Sequence, residues 1–130
     1  MNEKAKYWLD LCEDDLLTAK ALLQSERLLH MGFFCHLIIE KALKAVIAKS
    51  TNDQPPRTHD LQRLAKHSGL FESLSEQQLT LIDRLTPLNI EARYPEHKEK
   101  IAASLTTTFC KRLLAETEEL LCWIKQMLDS

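Results

Sequence analysis

The residues of this chain best able to do chemistry gather in a few places, and the densest is NIEARYPEHK at positions 89–98. Arg93 carries a planar, permanently charged fork suited to a phosphate or to a carboxylate. Tyr94 can stack on a flat ring, or pack and offer a hydroxyl. Pro95 removes a backbone donor and fixes the turn that aims its neighbours, and His97 supplies a titratable ring. The alternative for this stretch is structural, with Arg93 paired to Asp15 or Glu40, Tyr94 in the core and His97 an uninvolved exposed side chain.

Other candidates lie on the helices that must hold this segment. At about 100° per residue, Asp15 falls among Trp8, Cys12, Ala19 and Leu22, an apolar face that a lone carboxylate should avoid. Lys41, set between Leu37, Ile38 and Ala45, is the partner the same projection selects, which predicts an ion pair between the first and second helices. His36, Glu40 and Lys44 repeat every four residues, the spacing of a solvated ladder or of residues lining a cleft between subunits. Asp60 suits the start of a helix because its charge complements the helix dipole. His59 beside it has no such reason, and either packs on a neighbouring helix or serves a cleft.

With 130 residues, 2 Gly and 4 Pro, the chain has the length of one domain, 1–130, and the composition of a helical one. Five helices are expected. The first runs from about Asn2 to Gln24, and the second, apolar around most of its girth, from about His30 to Lys49. After the breaker STNDQPPRT a short third helix covers HDLQRLAKH, with Thr58 as its cap and Gly69 past its end. SEQQ at 75–78 opens the fourth as a capping box, and Pro87 should kink that helix rather than stop it. Arg93 and Tyr94 fall at its end. The last helix begins at Lys98 or Ser104 and reaches Leu128. No strand signature appears, so the expected fold is an all-α, up-and-down bundle.

The formal charge of −2 argues against a protein built as a whole to attract nucleic acid, although the stretch from the second helix to Arg63 is locally basic. Cys12, Cys35, Cys110 and Cys122 lie far apart without metal-ligand spacing, so reduced thiols and no metal are expected. No apolar run reaches the ~20 residues that cross a bilayer, and MNEKAKYWLDL is charged from the outset. The expectation is a cytoplasmic protein with no cofactor and no membrane association.

Four stretches, Trp8 with EDDLLTAKALL, GFFCHLIIEKALKAVI, THDLQRLA and ARYP, resemble in content and order those of the HEPN family of small helical-bundle proteins. The resemblance implies an antiparallel homodimer and a minimal nucleotidyltransferase as partner, in a module like a toxin–antitoxin pair. It also implies either a metal-independent ribonuclease or a binder of nucleotide or RNA at the dimer cleft. The family's ribonucleases share an Arg-x4–6-His motif. Here Arg93 and His97, like Arg63 and His67, are separated by three residues, and no Arg/His pair has four to six between them. What the chain shares is the Arg-Tyr-Pro form of the branch that binds nucleotide or a partner.

Three functional classes follow. The leading one is a non-catalytic nucleotide- or RNA-binding subunit that uses Arg93, Tyr94, Lys41, Lys44 and His59. The second is a ribonuclease with an irregular motif built from Arg93, His97 and His59, in which a histidine acts as general base and arginine stabilises the phosphorane. The third is a protein-interaction module that contributes only surface.

Overall fold

A computed structural model describes residues 2–51 and 54–129. Among them the chain forms six α-helices and no strand: α1 (Glu3–Gln24), α2 (Leu28–Thr51), α3 (Leu61–Ser68), α4 (Glu76–Leu85), α5 (Pro95–Ser104) and α6 (Thr107–Leu128). Short 3₁₀ turns occupy Phe71–Ser73, Thr86–Leu88 and Ile90–Ala92. No helix among the described residues is long and apolar enough to cross a membrane.

The helix ends follow from local side chains. Asn2 caps α1 by accepting from the Ala5 amide at 2.8 Å, and its own amide group donates to the Ala48 carbonyl at 2.9 Å. That second bond places the start of α1 beside the end of α2, so the two helices form an antiparallel pair. α1 gives way to α2 through Ser25–Arg27, where Glu26 takes the left-handed conformation with φ of 60°. Asp60 rather than Thr58 caps α3, accepting from the Arg63 amide at 3.2 Å; Thr58 lies two residues further out and accepts from Asp60 N–H. Gly69 ends α3 with φ of 82°, a conformation that glycine adopts without a Cβ penalty. Ser75 and Gln78 form both arms of the expected capping box.

Two further expectations need correction. Pro87 stops α4 instead of kinking it: the α-helix closes at Leu85 and the chain continues as separate 3₁₀ turns. Proline has no N–H for the next hydrogen bond, and its ring crowds the carbonyl four residues back. The segment that follows is nevertheless anchored, because Leu88, Asn89 and Ile90 are buried. Of the two starts expected for the last helix the later one holds: α6 begins at Thr107, and Pro95–Ser104 form a separate α5, divided from it at Leu105–Thr106, where Leu105 is extended and the Thr106 hydroxyl accepts from Phe109 N–H. The count is therefore six helices and not five.

α2 is the axis of the bundle, packed against α1, α3 and α6. Its buried residues run from Met31 to Ala48 with few breaks, as its all-round apolar sequence requires. α6 lies antiparallel to α1, since Lys20 meets Glu118 and Lys125 meets Glu13, and Lys49 of α2 donates to the Leu128 carbonyl at its far end. Across the α2–α4 side, Leu88 presses on Gly32, where an added Cβ would stand 3.3 Å from its side chain. The segment carrying Arg93 thus leaves α4 directly over the first half of α2.

Candidate functional site

Glu40, on the central helix, is the centre of the only buried cluster of charge on α2 among the described residues, together with His36 and Lys44. One of its oxygens, Oε1, lies 3.2 Å from His36 Nε2 and 2.8 Å from His59 Nδ1. The other, Oε2, accepts from Lys44 Nζ at 3.1 Å. Glu40 is 3% exposed, His36 0% and Lys44 7%, so the three ladder residues do not form a solvated face. The ladder turns inward because α3, α4 and the first turns of α1 cover that side of α2. His59 reaches the cluster from the linker before α3 and leaves most of its ring in solvent.

Burial alone would push the Glu40 carboxyl upward, but hydrogen bonds from His36 and His59, with the charge and hydrogen bond of Lys44, outweigh it and hold it at about 2. An ionised carboxylate with three donors is the stable state of such a group. His36 uses its second ring nitrogen as well, with Nδ1 3.0 Å from the Leu85 carbonyl at the end of α4. Lys44 also lies over the Trp8 ring, 5.3 Å from its centroid, which compensates part of the ammonium's desolvation.

Lys41 and Asp15 pair as the projection of the two helices predicts, with Nζ 2.6 Å from Oδ2. Both are mostly buried between α1 and α2. Lys41, one of the two lysines among the expected ligand residues, is thereby committed to a structural partner.

The Arg-Tyr-Pro segment lies between the last 3₁₀ turn and α5. Arg93 is extended, with φ of −112° and ψ of 144°, and Tyr94 is extended and caps α5, with Pro95 at its first position. Pro95 explains the extended Tyr94 and the start of α5, since it disfavours the helical conformation at the residue before it and opens a helix readily. Arg93 and His97 therefore do not share a helical face. His97 is exposed and meets Tyr94 edge-on, ring centroids 6.3 Å apart, and Tyr94 is itself 74% exposed. Tyr94 is consequently not a core residue.

Arg93 forms no ion pair with Asp15 or Glu40, because those carboxylates are already taken by Lys41 and by the histidine–lysine cluster. Its Nε is buried and has no hydrogen-bond partner, the one such side-chain atom among the described residues. Within the chain this nitrogen therefore keeps an unused donor on a permanently charged group.

The structure gathers Lys44 and His59 around Glu40, while no hydrogen bond or ion pair connects Arg93 or Tyr94 to that cluster among the described residues. His36 and Glu40 carry more of the site than sequence reasoning gave them. The available signal was three polar residues at four-residue intervals on a helix otherwise apolar all round. None of these groups is arranged to hold a metal, since both histidines direct a ring nitrogen at the Glu40 carboxylate itself. Cys12, Cys35 and Cys110 are buried free thiols, and Cys122 is exposed.

The HEPN domain model matches residues 5–127. The chain belongs to the HEPN family. The match takes in all six helices but for the first residues of α1 and the last of α6. No curated protein and no solved structure was found to match this HEPN protein.

Proposed function

We propose that this HEPN protein is a non-catalytic binding subunit that holds the phosphate of a nucleotide or RNA with Arg93 and stacks a base on Tyr94. It does so as an antiparallel homodimer beside a minimal nucleotidyltransferase, in a toxin–antitoxin-like module. The observation that carries the reading is the Arg93 guanidinium, whose buried Nε has no partner within the chain. An oxyanion meeting the accessible part of this half-buried residue would give its charge the partner it lacks within the chain. The ring of Tyr94, the next residue in the chain, is exposed over most of its surface. No hydrogen bond or ion pair joins a histidine to Arg93 among the described residues, and His36 and His59 both serve Glu40, which favours binding over acid–base cleavage. Lys44 and His59 belong to the support of the bundle in this reading, and Lys41 to the α1–α2 joint.

The test is isothermal titration of the protein, of known molar mass in solution, with ATP, GTP and a short single-stranded RNA, repeated on Arg93→Ala. Saturable binding lost in the variant, with the RNA intact, is the expected result. No binding by a well-folded dimer would overturn the ligand reading and leave Arg93 facing a partner protein's carboxylate. Cleavage of the RNA would turn the assignment to a ribonuclease.

A further inference from the structure

His36 makes two contacts, and both are to atoms that only accept. Its Nδ1 is 3.0 Å from the Leu85 carbonyl, and its Nε2 is 3.2 Å from a Glu40 oxygen. A carbonyl oxygen has no proton to give, so Nδ1 must carry one. The second contact also needs a proton between its two atoms, on the ring or on the carboxyl. Glu40 Oε1 already accepts from His59, and Oε2 from Lys44, so the carboxyl is the ionised member of the pair and the proton belongs to Nε2.

We infer that His36 is a buried imidazolium, and that by donating from both ring nitrogens it is the positioning residue for the Arg93–Tyr94 segment. One arm holds it to Glu40 on its own helix. The other holds the last carbonyl of α4, where Pro87 has ended the helix and the 3₁₀ turns toward Arg93 begin. A neutral ring keeps one proton and can satisfy only one of the two acceptors. The charged and titratable groups facing it are Glu40 and Lys44 on α2 and His59 from the linker to α3, while α4 contributes the Leu85 carbonyl. Lys44 opposes a second positive charge nearby, but its ammonium is drawn to the far carboxylate oxygen and onto the Trp8 ring. Loss of the imidazolium proton therefore loosens the joint between α2 and α4, and with it the chain from Thr86 to Tyr94.

The state of the ring is read directly by nitrogen–proton correlation spectra of the ¹⁵N-labelled full chain near neutral pH, with His36→Gln used to assign its signals. Both ring nitrogens of His36 should report attached protons, and in Glu40→Gln one of them should become unprotonated. A singly protonated His36 in the unsubstituted protein overturns the inference. The positioning role is read on the same sample without any substitution. Raising the pH until His36 loses its proton should shift the backbone amides of Leu88–Tyr94 along the same titration curve. Hydrogen exchange there should quicken roughly tenfold, as loss of a charged hydrogen bond allows. Amides that ignore the His36 titration would remove the positioning role. The inference depends on the proposed ligand site only in its last consequence, a weaker affinity at high pH. Absence of any ligand would sink that site and leave the ring-nitrogen result standing.

Discussion

Replacing Glu40 by glutamine keeps the shape of the cluster and removes its only negative charge. The Gln amide nitrogen would then face a donor, either Lys44 or a histidine. Two routes give the cost. The carboxyl's displacement from 4.5 to about 2 corresponds to about 3 kcal/mol at about 1.4 kcal/mol per pH unit. Deleting one member of a buried charge cluster costs about 3–5 kcal/mol. Near neutral pH the variant should therefore lose about 3 kcal/mol in urea unfolding, compared at equal protein concentration because a dimer's stability depends on it. The pH profile is the sharper assay. A carboxyl depressed by its native contacts stabilises the fold above its unfolded value and loses that contribution as pH falls through the folded one. The protein should thus shed most of the Glu40 contribution between about 4.5 and about 2, and Glu40→Gln should show a correspondingly shallower slope there. Equal acid slopes in the two proteins would refute the assignment of Glu40 as the ionised centre of the cluster.

Lys41→Ala strands the Asp15 carboxylate between α1 and α2 and should cost about 2 kcal/mol, whereas the double change Asp15→Leu with Lys41→Met should recover most of it by thermal melting. Gly69→Ala meets no atom within 4 Å yet forces φ of 82° on a residue with a Cβ, so a loss of about 1 kcal/mol is expected, and a smaller one for Gly69→Asn. A thiol reagent should modify Cys122 in the native protein and leave Cys12, Cys35 and Cys110 unreactive until unfolding. Burial pushes the Cys12 and Cys35 thiols up to about 12, and more than one fast-reacting thiol per chain would contradict that burial.

The sequence by itself determined what depends on neighbours within about one helical turn. The Ser75–Gln78 capping box, the glycine stop at Gly69, the extended backbone forced on Tyr94 by Pro95 and the inward-facing Asp15 were all legible, and so was Lys41 as its partner, because each rests on dihedral preference or helical period. The effect of Pro87 was not, since a proline can bend or end a helix, and the outcome depends on whether the chain beyond it finds its own anchors, here Leu88, Asn89 and Ile90. The start of the last helix, at Lys98 or Ser104, was left open as well, because no proline or glycine stands at Leu105–Thr106 to mark the break. Tertiary structure alone decided the site. His36, Glu40 and Lys44 read equally well as a wet ladder, and only the covering of that face by α1, α3 and α4, with His59 arriving from 19 residues away, made them a buried cluster. The Arg93 Nε was left without a partner in the same packing, in which Asp15 is held by Lys41 and Glu40 by His36, His59 and Lys44.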